Sequence, residues 1–168
     1  MKKLLGFSIF LVFVLIASLT AEAKVTLPAI FSDNMVLQQN TQVNVWGKAA
    51  PGEKVTVKAS WLDKAVTAKA AANGKWTVKL KTPKATTNQS VTVSGENEIT
   101  INNILIGEVW LCTGQSNMEF PVSRHPDVKW NTGMLNEAEE LKDADYPEIR
   151  LFHVKHQLAH EGELDDCE

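Results

Sequence analysis

Cysteine and histidine are scarce: Cys112 and Cys167, with His125, His153, His156 and His160, are all that 168 residues provide. Two cysteines cannot build the disulfide framework on which small secreted scaffolds depend. No Cys/His run has the spacing of a zinc site. His153, His156 and His160 near Asp165 and Asp166 read as a solvated tail, so neither a metal nor a cofactor is expected. An excess of positive charge is also missing. Seventeen basic against twenty acidic side chains give a net charge of −3, and phosphate binding needs a basic face, so nucleic acid is excluded as the natural partner. Disorder is excluded too, because 44% of the residues are hydrophobic, enough to pay for ordering a core. Finally, there is no Gly-x-Ser-x-Gly, the serine elbow of the α/β-hydrolases.

A long apolar run occurs once, at residues 4–19, after Lys2 and Lys3 and before Ala21-Glu22-Ala23. Positive start, apolar middle and small residues at an A-x-A site are the three parts of a secretory signal peptide. Residues 1–23 are therefore expected to be removed, leaving no stable membrane insertion. The competing reading is a retained membrane anchor. The exported protein is expected in the periplasm or outside the cell, where thiols can oxidise. Nothing in the sequence brings Cys112 and Cys167 together, and Cys112 reads as a small buried hydrophobe.

Residues 24–104 carry the period of half-buried strands. Val43 and Val45, then Val55, Val57, Ala59 and Trp61, then Val66, Ala68 and Ala70 alternate with polar residues,. Asn73-Gly74 marks a tight turn before Trp76, Val78 and Leu80, and Val91-Val93 and Ile99-Ile101 repeat the pattern,. Pro51-Gly52 and Thr82-Pro83 punctuate the runs. Short strands at this spacing predict an antiparallel β-sandwich. Trp46, Trp61 and Trp76 lie on or beside alternating strands and read as core, with a sugar-stacking surface as the alternative.

Beyond Gly107 the pattern changes. Residues 109–112 form a near-continuous apolar run, the type of strand buried on both faces of a parallel sheet. It leads into Thr113-Gly114-Gln115-Ser116-Asn117. A strand ending in such a turn would hold the Ser116 hydroxyl clear of the sheet beside free backbone N–H groups, as a nucleophile requires. On spacing alone, the same pattern fits a polar loop with Ser116 as a turn residue. A helix is predicted over 132–143 from Leu135, Ala138 and Leu141, and a second strand over 149–154. Strand, helix and strand make the start of a β-α-β unit, with the turn at the carboxyl end of the first strand. Two strands and a helix cannot cover both faces of an α/β sheet, so residues 105–168 read as the N-terminal part of a longer domain. Glu108, ahead of the strand, is expected to pair with a group from that missing part.

Gly114-Gln115-Ser116-Asn117 resembles the first signature block of the SGNH (GDSL-like) hydrolases, in its GQSN form. The longer run Leu105-Ile106-Gly107-Glu108-Val109-Trp110-Leu111-Cys112-Thr113-Gly114-Gln115-Ser116-Asn117-Met118-Glu119 resembles that of the sialate O-acetylesterase family, with Thr113 where serine is expected. Leu27-Pro28-Ala29-Ile30-Phe31-Ser32-Asp33-Asn34-Met35-Val36-Leu37-Gln38 and Val45-Trp46-Gly47-Lys48-Ala49-Ala50-Pro51-Gly52-Glu53 resemble its N-terminal region. The resemblance implies a mixed fold: a β-sandwich followed by an incomplete SGNH-type, flavodoxin-like α/β domain. It implies a serine carboxylic-ester hydrolase that removes O-acetyl groups from sialic acids.

Ser116 is then the nucleophile and its backbone N–H an oxyanion donor, supported by Gly114, Gln115 and Asn117 in the turn. Arg124 is a candidate for the sugar carboxylate through its planar fork, and a surface arginine otherwise. The family's remaining oxyanion donors and its late catalytic histidine come from blocks that do not occur here, so none of the four histidines is assigned as base. Two alternatives stand beside this reading: an acetylxylan-type esterase, and a non-catalytic sandwich that binds a glycan or docks to a partner. N-terminal sequencing of the protein made by its own cells is expected to begin at Lys24; a retained Met1 would return residues 4–19 to the role of anchor.

Overall fold

The structure, a computed structural model, describes residues 24–124, 133–154 and 166. The expected signal peptide, Thr132 at the start of the predicted helix, and His125, His156, His160, Asp165 and Cys167 lie outside the described residues. Among the described residues the fold is rich in β-structure, with seven strands: β1 (Val36–Gln38), β2 (Gln42–Lys48), β3 (Lys54–Ala59), β4 (Val66–Lys69), β5 (Lys75–Lys81), β6 (Thr86–Ser94) and β7 (Glu98–Gly107). They form a five-stranded sheet in the order β1-β7-β6-β3-β4 and a two-stranded sheet of β2 and β5. A 3₁₀ turn, Ser116–Glu119, and a short helix α1, Glu137–Asp143, follow. No helix among the described residues is long and apolar enough to cross a membrane.

The described residues fall into two compact units. The first holds the residues up to Pro28, Asn44–Leu80 and Val91–Thr100. Its core is what the alternation predicts: Val45, Val55, Val57, Ala59, Trp76, Val78, Leu80, Val91 and Val93 are all buried. The intervening lysines and threonines of β3 and β5 point outward or lie part-covered. β3 pairs antiparallel with β4, Val57 opposite Val66, and with β6, Val57 opposite Val93. Residue type sets this register, since a slip by one position would carry every valine to the polar face. The Asn73-Gly74 turn forms as expected: Gly74, at φ 76°, donates its N–H to the Ala71 carbonyl at 2.9 Å.

Trp76 is buried as expected, at 2% exposure, but Trp46 is 42% exposed and Trp61 is half-buried. The expectation that all three are core fails at Trp46 because the even and odd positions of β2 face opposite ways. Val45 and Gly47 take the inward places, and Trp46 between them faces out. Gly47 makes room for both the indole and the first strap of chain. Thr26 and Lys48 form an antiparallel bridge, with N–H donations of 2.9 and 3.0 Å, and this sets the Thr26 carbonyl directly over Gly47. A Cβ on Gly47 would overlap that oxygen and stand 3.0 Å from Cζ2 of Trp76.

The second unit holds Ala29–Val43, Lys81–Ser90 and the described residues from Ile101 on. Its core is smaller: Phe31, Leu37, Ile101, Ile104, Leu105 and Ile106. Here the strand pairing departs from the all-antiparallel expectation. β1 lies parallel to β7, with Val36 opposite Leu105 and Gln38 opposite Gly107. Leu105 donates its N–H to the Met35 carbonyl at 3.0 Å, and Gln39 donates to the Gly107 carbonyl at 2.8 Å, the slanted ladder of a parallel pair,. Asn103 sits in β7 with φ 53°, and Asn34 in the turn before β1 with φ 70°. Asparagine is one of the few residues that tolerate this conformation, and the two meet across the pair: the Asn103 amide donates to Asn34 Oδ1 at 2.7 Å. Asp33 Oδ1 accepts the Asn102 N–H at 2.7 Å.

The predicted strand over 109–112 does not form. Val109, Trp110 and Leu111 are 52%, 83% and 90% exposed, and Cys112, read as a buried hydrophobe, is a free and exposed cysteine. Nor does 149–154 form a strand, with Leu151 at 94% exposure. A strand needs a neighbour for its N–H and C=O groups, and an apolar run of this kind needs cover on both faces. Among the described residues no strand lies beside either segment. The helix is shorter than expected, Glu137–Asp143, and buries none of its residues. Its ends hold it: Glu137, Glu139 and Glu140 lie in the first turn and Lys142 in the last, each sign where the helix dipole favours it,. In urea or thermal unfolding, Gly47→Ala is expected to destabilise the protein by about 1–3 kcal/mol through overpacking, whereas an alanine at the exposed Trp46 should cost less.

Candidate functional site

The Ser116 turn is built from its own backbone. Gln115 precedes the 3₁₀ turn in an extended conformation, φ −117° and ψ −147°, and its carbonyl accepts the Met118 N–H at 2.8 Å. The Asn117 carbonyl accepts the Phe120 N–H at 3.3 Å. Asn117 thus closes the turn through its main chain. Met118 folds back against Gly114, where a Cβ would come 3.0 Å from the methionine Cγ. Gly114, Gln115, Ser116 and Asn117 are all exposed. Ser116 therefore begins a tight turn, its hydroxyl in solvent, as a strand-to-turn nucleophile would be, although the segment leading to it is not a strand.

Arg124 follows the turn in an exposed stretch. Its backbone N–H donates to Glu137 Oε2 at 3.2 Å, and its side chain is exposed. His153 is exposed as well, and no hydrogen bond among the described residues joins it to Ser116. Asp166 acts on the backbone, its carboxylate accepting the Ala29 N–H at 3.0 and 3.1 Å. Arg150, which the sequence does not single out, donates to the Asn103 carbonyl and, at 3.1 Å, to Asn103 Oδ1. It lines a hollow of about 520 Å³ with Asp33, Asn34, Asn103 and Phe152, and Ser116 is not among the walls.

The root of the segment is held more firmly than its tip. Glu108, expected to pair outside the chain, accepts from Gln38 Nε2 at 3.0 Å and from Gln39 Nε2 at 2.7 Å. Gln38 Oε1 in turn accepts the Val109 N–H at 2.8 Å. The parallel pairing of β1 and β7 is the cause, since it ends both strands side by side at Gln38 and Gly107. These hydrogen bonds, Gln38 first and then Gln39, hold the Glu108 carboxyl below its ordinary pKa; slight desolvation opposes them,. Sequence reading passed over Gln38 and Gln39. Two adjacent amides at a strand end are a recognisable signal only once the partner strand is known.

No protein-family model matches the chain. The sialate O-acetylesterase of Mus musculus is 31% identical over 150 residues, covering 82% of this chain and 26% of that protein. That of Homo sapiens is 28% identical over 146 residues, covering 80% and 26%. A crystal structure of a carbohydrate acetylesterase from Xanthomonas citri superposes with a TM-score of 0.56 at 36% identity, covering 61% of this chain and 23% of that one. The chain is a homologue of carbohydrate esterases. More narrowly, over most of its length it is homologous to the sialate O-acetylesterases, as the three sequence blocks imply. It spans about a quarter of the length of these curated relatives.

The folded-state pKa of Glu108 is depressed, so its bonds to Gln38 and Gln39 are fully present above the unfolded-state pKa and are lost as pH falls through the lower folded value. In an NMR acid titration, the Gln38 and Gln39 side-chain amide signals should move with a midpoint below the ordinary glutamate value. A midpoint at or above the ordinary glutamate pKa would contradict this.

Proposed function

We propose that the chain is the N-terminal part of an exported serine esterase that removes O-acetyl groups from sialic acids. In this reading residues 24–104 act as a β-sandwich and residues 105–168 begin an SGNH-type α/β domain. The observation that carries it is the exposed Ser116 at the head of a closed 3₁₀ turn, within a motif embedded in esterase-like sequence. The exposed Trp110, Leu111, Leu135 and Leu151 fit the same reading. In this reading they wait for a covering layer that the relatives' remaining length supplies.

Ser116 Oγ attacks the acetyl carbonyl carbon while a general base takes the hydroxyl proton. The oxyanion that forms accepts the Ser116 N–H, which the head of a 3₁₀ turn leaves without an intrahelical acceptor. The carbonyl reforms, the bond to the sugar oxygen breaks, and the sugar leaves with the proton. Water then releases acetate from the acetyl-serine. The base and further oxyanion donors are assigned to the part of the relatives that the chain does not span. The Xanthomonas citri neighbour, a carbohydrate acetylesterase, supports the wider reading in which another acetylated glycan is the substrate.

In the full-length protein a fluorophosphonate is expected to label Ser116, and Ser116→Ala should lower acetate release roughly ten-thousand-fold or more. The 168-residue chain by itself should release acetate near background. Absence of labelling in the full-length form would overturn the esterase reading. Preference for acetylated xylan over O-acetylated sialic acid in competition would move the substrate to plant polysaccharide.

A further inference from the structure

We infer that Gln38, Gln39 and Glu108 form a positioning clamp that fixes where the chain leaves β7 on its way to Ser116. Its catalytic meaning rests on the esterase reading; its mechanical meaning does not. Beyond Gly107 the chain has no strand partner among the described residues, and Val109 to Leu111 stand in solvent. A segment so placed would swing about its last ladder bond and carry Ser116 with it. Catalysis tolerates little such motion, since misplacement by about 1 Å can cost on the order of a hundredfold in rate.

The two amides stop the swing at successive residues. Gln38 meets two successive residues, donating to the Glu108 side-chain carboxylate and accepting the Val109 backbone N–H. Gln39 grips the other carboxylate oxygen. Its own Oε1 accepts the Ala85 N–H at 2.9 Å, and its N–H donates to the Gly107 carbonyl.

The amide pair is itself tied to a buried point. Thr82, 2% exposed, directs its hydroxyl at the Gln38 carbonyl at 2.7 Å and the Thr41 carbonyl at 3.0 Å, and its oxygen accepts the Thr41 N–H at 3.1 Å. Asn40 donates its N–H to the Pro83 carbonyl at 2.9 Å. From buried Thr82 through Gln38 to Val109, the exit of the chain is thus fixed by side chains outside the motif. A glutamine at 38 fits because one side chain must offer a donor and an acceptor at once. A carboxylate at 108 fits because it can accept from two amides together.

That reciprocity supplies the test. In the 168-residue chain, Gln38→Ala and Glu108→Ala are each expected to speed hydrogen exchange at the Val109 amide by about three- to tenfold, with the Val57 and Leu80 amides unchanged. The exchange of partners, Gln38→Glu with Glu108→Gln, keeps an acceptor for Val109 and a donor-acceptor pair between the side chains, and should restore protection. Gln38→Glu alone sets two carboxylates face to face and should not. Unchanged exchange at Val109 in the single variants, or failure of the double variant to recover, would overturn the clamp.

In the full-length protein the same variants should slow fluorophosphonate labelling of Ser116, with recovery in the double variant. Labelling at the wild-type rate in variants that have lost Val109 protection would overturn the positioning role. An unlabelled wild-type serine with the exchange pattern intact would overturn the esterase reading and leave the clamp standing.

Discussion

Three residues of β1 laid parallel against the end of β7 decide the geometry of everything that follows them. A parallel pair cannot be closed by a hairpin, so its partners come from far apart in sequence, here from Val36–Gln38 and Leu105–Gly107,. The pair therefore closes a loop of some seventy residues, whose entropy must be recovered by contacts of the whole fold. Leu37, Ile104, Leu105 and Ile106, all buried, provide the apolar part of that recovery. The polar part is the ladder and the amide-carboxylate group at its open end. Were β1 to pair antiparallel, Gln38 would lie at the other end of β7 and Glu108 would face water alone.

The two units solve the problem of a small core differently. In the first, strict alternation lets nine side chains from four strands meet at nearly complete burial, and the segment at Val25 and Thr26 is strapped down by the Thr26–Lys48 bridge and by Asn97, whose amide serves both the N–H and the carbonyl of Val25. In the second, fewer apolar residues are buried among those described, aspartate and threonine side chains take up backbone groups that a longer ladder would have satisfied, and Asn103 and Asn34 bond side chain to side chain. Such networks are directional and leave little freedom, a reason for left-handed asparagines to recur at its corners,.

Most of the strands between 42 and 107 were legible from sequence because a half-buried strand writes its burial into a period of two. Val55, Val57, Trp76, Val78, Leu80, Val91 and Val93 could be placed inside without knowing any partner. Partner and direction were not legible: nothing local in Val36-Leu37-Gln38 announces a parallel mate at Leu105. Trp46 misled for a related reason, since alternation says that neighbours face opposite ways but not which way is in. Residues 109–112 and 149–154 have the composition of buried strands, and composition alone cannot supply the layers that would bury them. At the candidate site, the motif announced Ser116 and its turn, while the groups that hold its root are ordinary amides at the end of the neighbouring strand β1.

The indole of Trp76 has its own consequence. Trp76 is 2% exposed and its buried Nε1 has no hydrogen-bond partner among the described residues, whereas Trp110 is 83% exposed. An excited indole lowers its emission energy by the reorientation of dipoles around it, and Trp76 has almost none to recruit. Of the five tryptophans, Trp76 and Trp110 thus stand at opposite ends in colour, a blue one inside the first unit and a red one on the approach to Ser116. A quencher dissolved in water reaches Trp110 and not Trp76, so once the other three indoles are replaced, light alone can follow the segment before Ser116 separately from the core.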